Sequence, residues 1–204
     1  MNDAAFFKEN DYLFVRGIVS PDELYAHLLS LKANGAGMPD LQVTGSHIFY
    51  KEDKFERLME TLLPEIEAYT SCRLYKTYSF ARQYINGNVL RAHKDREACE
   101  VTVTICLGND GKSWPIWFLD KDEKPQAIGL EPGDGLIFKG HSHLHWREKN
   151  VFGACGQVFL HYVDQNGPFA MHRDDVTKGR RLYFQMKIPF MKRIFRCGVE
   201  RLYV

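Results

Sequence analysis

The chain has 204 residues, of which 45% are hydrophobic and 26% charged, and its formal net charge is +1. This composition is that of an ordinary globular protein, and it excludes a strong overall attraction to nucleic acid and a membrane span, which needs ~18 apolar residues. The five cysteines have no regular spacing and form no CxxC pair, which argues against a disulfide framework or a thiolate zinc site and favours a reducing, cytoplasmic location.

Two helices are predicted in the first third of the chain. The sequence Ser-Pro-Asp-Glu at residues 20–23 is typical of a capped helix start, and Asn-Gly at 34–35 is a stop signal. A second helix is predicted over about 53–70, where apolar side chains follow helical spacing. We expect Pro64 to kink or divide it. Residues 1–72 are therefore predicted to be a helical N-terminal part.

From residue 74 the apolar pattern changes to the alternation typical of strands. Residues 99–107 alternate most regularly, and one face of this strand carries Thr102, Thr104 and Cys106. The other strands are predicted at 74–85, 115–119, 126–130, 135–139 and 157–163. Residues 131–134, Glu-Pro-Gly-Asp, predict a type II turn. Short strands separated by turns indicate a mainly β (α+β) fold, with flanking helices against a barrel core at 73–165.

Residues 166–204 are predicted to be a basic C-terminal segment of a single domain that spans 1–204. From Arg173 to Val204 there are nine Lys or Arg residues and three acidic residues. One interpretation is that the segment packs its apolar side on the barrel while its charges face water. The other is a basic surface for an anionic partner, including nucleic acid.

A possible metal site begins at His93 and Asp95. Two residues apart on extended chain, their side chains share a face. Imidazole and carboxylate beside open coordination positions are the ligands of non-haem Fe(II) oxygenases. The motif HSHLH at 141–145 offers three histidines as a third ligand, and we favour His145 because it begins the run into the 157–163 strand. Solvated histidines or a zinc site with His93 are the alternatives.

The chain from about residue 74 to 164 resembles the Fe(II)/2-oxoglutarate-dependent oxygenases of the prolyl 4-hydroxylase-like group, and more closely a bacterial and phage subgroup of uncharacterised members. The matching stretches are YSFARQY, HKDREACEVTVTICLG, WPIWF, EPGDGLIFKGHSHLHWRE and GQVFLHYVDQNGP. The family pattern of a strand tyrosine, a glycine turn, an HxD motif and a distal histidine falls on Tyr84, Gly87, His93, Asp95 and His145.

This resemblance implies a double-stranded β-helix, the jelly-roll or cupin-like barrel. It also implies Fe(II) held by His93, Asp95 and His145, with 2-oxoglutarate as cosubstrate and O2 as oxidant. The expected activity is hydroxylation of an unactivated C–H bond in a small molecule or a peptide. Two alternatives remain open: an Fe(II) oxygenase or oxidase that does not use 2-oxoglutarate, and a non-catalytic metal-binding barrel.

The sequence departs from the family at the cosubstrate anchor. The family usually places an Arg or Lys where residues 155–161 of this chain read CGQVFLH. We expect Arg147 to replace it, because it lies two residues after His145 and a guanidinium matches a carboxylate bidentately. Tyr84 and Gln157 are expected to add hydrogen bonds, and Arg82 is the second candidate anchor.

These residues also have purely structural interpretations. Arg147 is equally consistent with a rim salt bridge to Glu148 or Glu97, and Tyr84 with a plain core position. The tryptophans near the motifs are candidate pocket walls, although core packing is their usual role: Trp114, Trp117 and Trp146.

Overall fold

The computed structural model describes residues 2–175. Its three α-helices are α1 (Asp3–Asn10), α2 (Asp22–Ala33) and α3 (Asp53–Thr70). The capping prediction for α2 was wrong in detail, because Pro21 occupies the N-cap and no side chain caps the helix. Helix α3 has the predicted bounds and runs through Pro64 undivided, and the Glu52 carboxylate accepts from the backbone N–H groups that begin it.

Eleven strands form two antiparallel sheets within the described residues. They are β1 (Tyr12–Val15), β2 (Met38–Pro39), β3 (His47–Tyr50), β4 (Leu74–Tyr84), β5 (Leu90–His93), β6 (Val101–Asn109), β7 (Ile116–Leu119), β8 (Pro125–Ile128), β9 (Gly135–Phe138), β10 (His145–Arg147) and β11 (Cys155–Asp164). The seven-stranded sheet has the order β1-β9-β6-β11-β4-β3-β2. The four-stranded sheet has the order β5-β10-β7-β8. The predicted mainly β fold is confirmed.

Alternation along the strands gives the larger sheet two different apolar faces. On β6, Val103 and Ile105 pack in one core with Phe55 of α3. Cys106, on the opposite face of the same strand, packs in a second core with Phe118 of β7, in the smaller sheet. Residues of both sheets share this second core, which is the interior of the barrel.

The turn before β9 has the predicted geometry. The Asp134 N–H donates to the Glu131 carbonyl at 2.9 Å, and Gly133 has φ +93°. A Cβ at Gly133 would lie 2.8 Å from the Val19 carbonyl oxygen. Glycine is therefore required here by both the dihedral angle and the close approach of the backbone.

Residues up to 174 form the first of two units of the chain. All the helices and strands given above lie in the first unit. From residue 176 onward, the predicted basic segment lies outside the described residues. None of the helices within 2–175 has the length and apolar character needed to cross a bilayer.

Candidate metal centre

The structure brings His93, Asp95 and His145 together. His93 ends β5 and His145 begins β10, and the two residues are direct cross-strand partners with ring centroids 4.3 Å apart. The Asp95 N–H donates to the Gly140 carbonyl at 3.0 Å, which fixes the chain just past β5. Asp95 Oδ1 lies 3.5 Å from His93 Nε2, and Oδ2 lies 3.8 Å from His145 Nε2. One ligand atom from each residue lies within 4.8 Å of the others.

Hydrogen bonds set the tautomer of both histidines. The second ring nitrogen, Nδ1, of His93 lies 2.8 Å from the Arg91 carbonyl, and that of His145 lies 3.0 Å from the His143 carbonyl. Because a carbonyl oxygen can only accept, each Nδ1 carries a proton, which leaves Nε2, the ring nitrogen nearer to Asp95, as the atom that can bind a metal. Two imidazoles with fixed orientation and one carboxylate are the residue types that non-haem Fe(II) sites use, so this group could hold such a metal.

Gly140 leaves the space that the Asp95 carboxylate occupies. A Cβ at this position would lie 2.7 Å from Asp95 Oδ2 and 2.6 Å from Thr102 Oγ1. Both distances are too short for a real Cβ, so any side chain would displace the carboxylate or the strand beside it. Sequence reasoning missed this role, since nothing in the local pattern distinguishes Gly140 from an ordinary turn glycine.

The other two histidines of the HSHLH motif lie elsewhere. His141 is half-buried with Nδ1 3.4 Å from the Glu100 carbonyl, and burial lowers the pKa of its ring. His143 is buried and its Nδ1 donates to the Leu119 carbonyl at 2.7 Å. Among the described residues, neither joins the group formed around Asp95.

The reason for favouring His145 was nevertheless wrong. We expected it to begin the run that continues into the last strand. Instead, His145 begins β10 in the four-stranded sheet, while β11 starts at Cys155 in the seven-stranded sheet. The intervening residues cross from one sheet to the other, which alternation of apolar residues alone does not reveal.

Arg147 is a fully buried guanidinium that lies in the barrel interior, with a relative exposure of 0%. Its Nη1 donates to the Trp114 carbonyl, and its guanidinium carbon lies 5.9 Å from the centre of the Tyr84 ring. Its Nε and Nη2 are buried and have no hydrogen-bond partner among residues 2–175. Within the same residues it makes no ion pair, so neither Glu97 nor Glu148 neutralises it.

Arg82 differs from Arg147 because its charge is already balanced. Its Nε lies 2.6 Å from Asp40 Oδ2 in a buried ion pair, and its Nη2 donates to Gln42 Oε1 at 2.9 Å. Its Nη1 donates to the Tyr84 hydroxyl at 2.8 Å. Arg82 therefore lies beside Tyr84, as expected, but it supports that hydroxyl and is itself paired. The Asp40 partnership has no signal in the sequence.

Gln157 and two cysteines line the same interior. Gln157 Nε2 donates to Cys155 Sγ at 3.1 Å, and Thr104 Oγ1 donates to Gln157 Oε1 at 3.2 Å. The pKa of Cys155 is lowered to about 7, first by a hydrogen bond with the Cys106 thiol and then by the positive charge of Arg147. The pKa of Cys106 is raised by the same thiol pairing and by burial. The Arg147 charge thus acts on the Cys155 thiol, and no carboxylate from the described part of the chain pairs with it.

Only one of the three candidate tryptophans faces this interior. Trp114 is buried with its ring edge-on to Tyr84, 4.9 Å between centroids. Trp117 and Trp146 stack on each other at 6.1 Å, on the face of the smaller sheet opposite Phe118 and His145. The prediction that these two form pocket walls was wrong, because strand alternation turns them away from the metal ligands.

Comparisons with known proteins place this arrangement in a structural context. No family model and no curated protein matches the sequence. The fold is similar to a Pseudomonas putida prolyl-4-hydroxylase (TM-score 0.65, 14% identity, covering 78% of this chain and 95% of that one). It is also similar to the non-haem α-ketoglutarate-dependent epimerase SnoN from nogalamycin biosynthesis (TM-score 0.68, 15% identity, covering 86% of this chain and 87% of that one). HygX from Streptomyces hygroscopicus, solved with nickel and 2-oxoglutarate, gives TM-score 0.65 at 11% identity, with 81% and 88% covered. The chain therefore has the jelly-roll fold of 2-oxoglutarate/Fe(II) oxygenases.

Proposed function

We propose that the protein is an Fe(II)- and 2-oxoglutarate-dependent dioxygenase that hydroxylates an unactivated C–H bond of a small molecule or a peptide. The observation that carries the proposal is the pairing of the His93–Asp95–His145 group with a buried Arg147 that lies on the same strand as His145 and that no acidic residue between 2 and 175 neutralises. The three-residue group can bind one face of an iron ion, and the Arg147 guanidinium can bind an anion beside that ion. The fold shared with HygX, a structure with 2-oxoglutarate bound, supports the same activity.

Arg147 has the chemistry that the distal carboxylate of 2-oxoglutarate requires. The two nitrogens without partners, Nε and Nη2, form one edge of the guanidinium, and that edge matches a carboxylate through two parallel hydrogen bonds. The Tyr84 hydroxyl accepts from Arg82 and so keeps its own proton to donate to the same carboxylate. Since Asp40 neutralises Arg82, the positive charge available to the cosubstrate is that of Arg147.

When bound, iron and 2-oxoglutarate supply the activation of O2 and the oxidation of the substrate. The protein contributes fixed ligands, because the backbone carbonyls of residues 91 and 143 hold both imidazoles in the Nδ1–H tautomer. It also shields one side of the site from solvent, since Phe138 packs edge-on against His145 at 5.1 Å and is buried.

The direct test is an anaerobic titration of the metal-free protein with Fe(II) and 2-oxoglutarate, monitored for a new visible charge-transfer band. We expect the wild-type protein to develop the band and His145→Ala to abolish it. His143→Ala is the matched control, because this buried histidine belongs to the same motif and lies outside the ligand group. A band that survives His145→Ala, or no band in the wild type, contradicts the proposal.

The cosubstrate is tested separately by O2 consumption. Coupled formation of succinate is expected only when 2-oxoglutarate is present. Iron-dependent O2 uptake without 2-oxoglutarate would favour the other oxygenase class, and an iron site without O2 uptake would favour a non-catalytic barrel. Nucleic-acid binding through the basic C-terminal segment and a cytoplasmic location stay predictions; steeply salt-dependent binding of oligonucleotides would support the first.

A further inference from the structure

We propose that Asp95, Cys99 and His161 form a second, competing metal site that binds a thiophilic divalent cation such as Zn(II). One ligand atom from each of these residues lies within 4.8 Å of the others. Cys99 and His161 are 1% and 5% exposed, so the site is built inside the protein. Thiolate, imidazole and carboxylate together are a ligand set that zinc prefers. The inference concerns metal binding alone and does not require the proposed oxygenase activity.

Local structure brings the three ligands to one place. Cys99 ends a single 3-10 turn, Glu97–Cys99, which begins two residues after Asp95. A hydrogen bond from the Cys99 N–H to the Arg96 carbonyl at 2.9 Å closes this turn. His161 comes from β11, where it pairs across the sheet with Thr102 of β6, the strand that follows the turn. Turn and strand therefore meet at the Asp95 carboxylate.

Both new ligands carry the kind of outer hydrogen bond that orients metal ligands. The Tyr78 hydroxyl lies 3.1 Å from Cys99 Sγ, and Thr102 Oγ1 lies 3.1 Å from His161 Nδ1. Arg96 Nε donates to the Tyr78 hydroxyl at 3.4 Å, and its guanidinium carbon lies 4.4 Å from the centre of that ring. A hydroxyl that accepts from a cation is a good donor to a thiolate, so this arrangement favours the deprotonated cysteine that a metal needs.

The two sites compete because they share one carboxylate. Both oxygens of Asp95 face the ring nitrogens of His93 and His145. A cation held by Cys99 and His161 takes this carboxylate as its third ligand, forms a metal–sulfur bond and releases the thiol proton to solvent. A site of nitrogen and sulfur ligands binds Zn(II) more tightly than Fe(II). Zinc bound at Cys99 and His161 is therefore expected to weaken iron binding by withdrawing the Asp95 carboxylate from the first group.

The test uses Co(II) as a spectroscopic probe on the metal-free, full-length protein. We expect a near-ultraviolet sulfur-to-cobalt charge-transfer band in the wild type and its loss in Cys99→Ser. Cys72→Ser is the matched control, because the Cys72 thiol donates to the Thr70 carbonyl and belongs to neither ligand group. His145→Ala should keep the band although it destroys the iron site. A failure of the thiolate site is thereby distinguished from a failure of the proposed function.

Two results would overturn the inference. The inference is overturned if the cobalt spectrum of the wild-type protein lacks the sulfur-to-cobalt charge-transfer band, and this result does not depend on whether any variant folds. A band that persists in Cys99→Ser does so as well, since the sulfur would then come from another of the five cysteines. Should circular dichroism show that Cys99→Ser is unfolded, His161→Gln is the second variant, with cobalt affinity expected to fall by more than about tenfold. Unchanged affinity in this variant also contradicts the site.

Discussion

Arg147→Met removes a buried charge and keeps an unbranched side chain of similar length. Without cosubstrate, the guanidinium has one hydrogen bond to the part of the chain that the structure describes, to the Trp114 carbonyl, and two nitrogens without a partner there. Replacing a poorly compensated buried charge by an apolar group is often neutral or stabilising by about 1–4 kcal/mol. With 2-oxoglutarate, the substitution removes two charge-assisted hydrogen bonds of about 1.5–3 kcal/mol each. Cosubstrate affinity should therefore fall about 100- to 10,000-fold, since about 1.4 kcal/mol is tenfold.

The assay combines the Kd for 2-oxoglutarate, from anaerobic titration, with the thermal unfolding temperature of the cosubstrate-free protein. Arg82→Met is the control: it breaks the buried pair with Asp40, leaves a buried carboxylate alone and should cost about 3–5 kcal/mol of stability. Loss of affinity without loss of stability is the signature expected for Arg147. A wild-type Kd in Arg147→Met, or a destabilisation as large as that of Arg82→Met, would refute the reasoning.

Three further outcomes are expected. Gly140→Ala should lower Fe(II) affinity by more than about tenfold with unchanged circular dichroism, because the new Cβ displaces the Asp95 carboxylate. Unchanged iron binding would show that the close approach of Gly140 to Asp95 is dispensable. Gly133→Ala should lower the free energy of unfolding by about 1–3 kcal/mol in urea titrations, since alanine is strained at φ +93°, and a change near zero would contradict this. The Cys155 thiol should ionise with a midpoint of about 7, measured by thiolate absorbance. Bound 2-oxoglutarate should raise this pKa, because an added anion cancels the Arg147 charge that lowers it. A downward shift of the pKa would show that the anion binds elsewhere.

The long elements of the fold were predictable because each repeats its apolar pattern several times. Helix α3 has the bounds read from its helical spacing, and its buried residues include Phe55, Met59 and Ile66. The short strands β1, β2, β3, β5 and β10 were not predicted. They have two to four residues each and, unlike the equally short β7, β8 and β9, they lie outside the run of strands and turns between residues 115 and 139. Their pairing partners, not their own residues, make them strands.

The candidate site was predictable to the extent that its residues are close in the chain. His93 and Asp95 form a local motif whose geometry follows from extended backbone. The difference between Arg147 and Arg82 was beyond the sequence, because it depends on Asp40, which precedes Arg82 by 42 residues and reaches it only through the fold. No residue-level pattern shows which arginine is neutralised.

The direct pairing of His93 with His145 has a consequence for local unfolding of the metal-free protein. The two residues are 52 positions apart in the chain, and β5 lies at the edge of its sheet, beside β10 alone. A cation bound by both histidines thus links β5 to β10 reversibly. At a free concentration 100 times its Kd, it raises the free energy of unfolding by about 2.7 kcal/mol. Protein without a bound cation should fray first at this edge, so proteolytic nicking around β5 would mark the metal-free molecules.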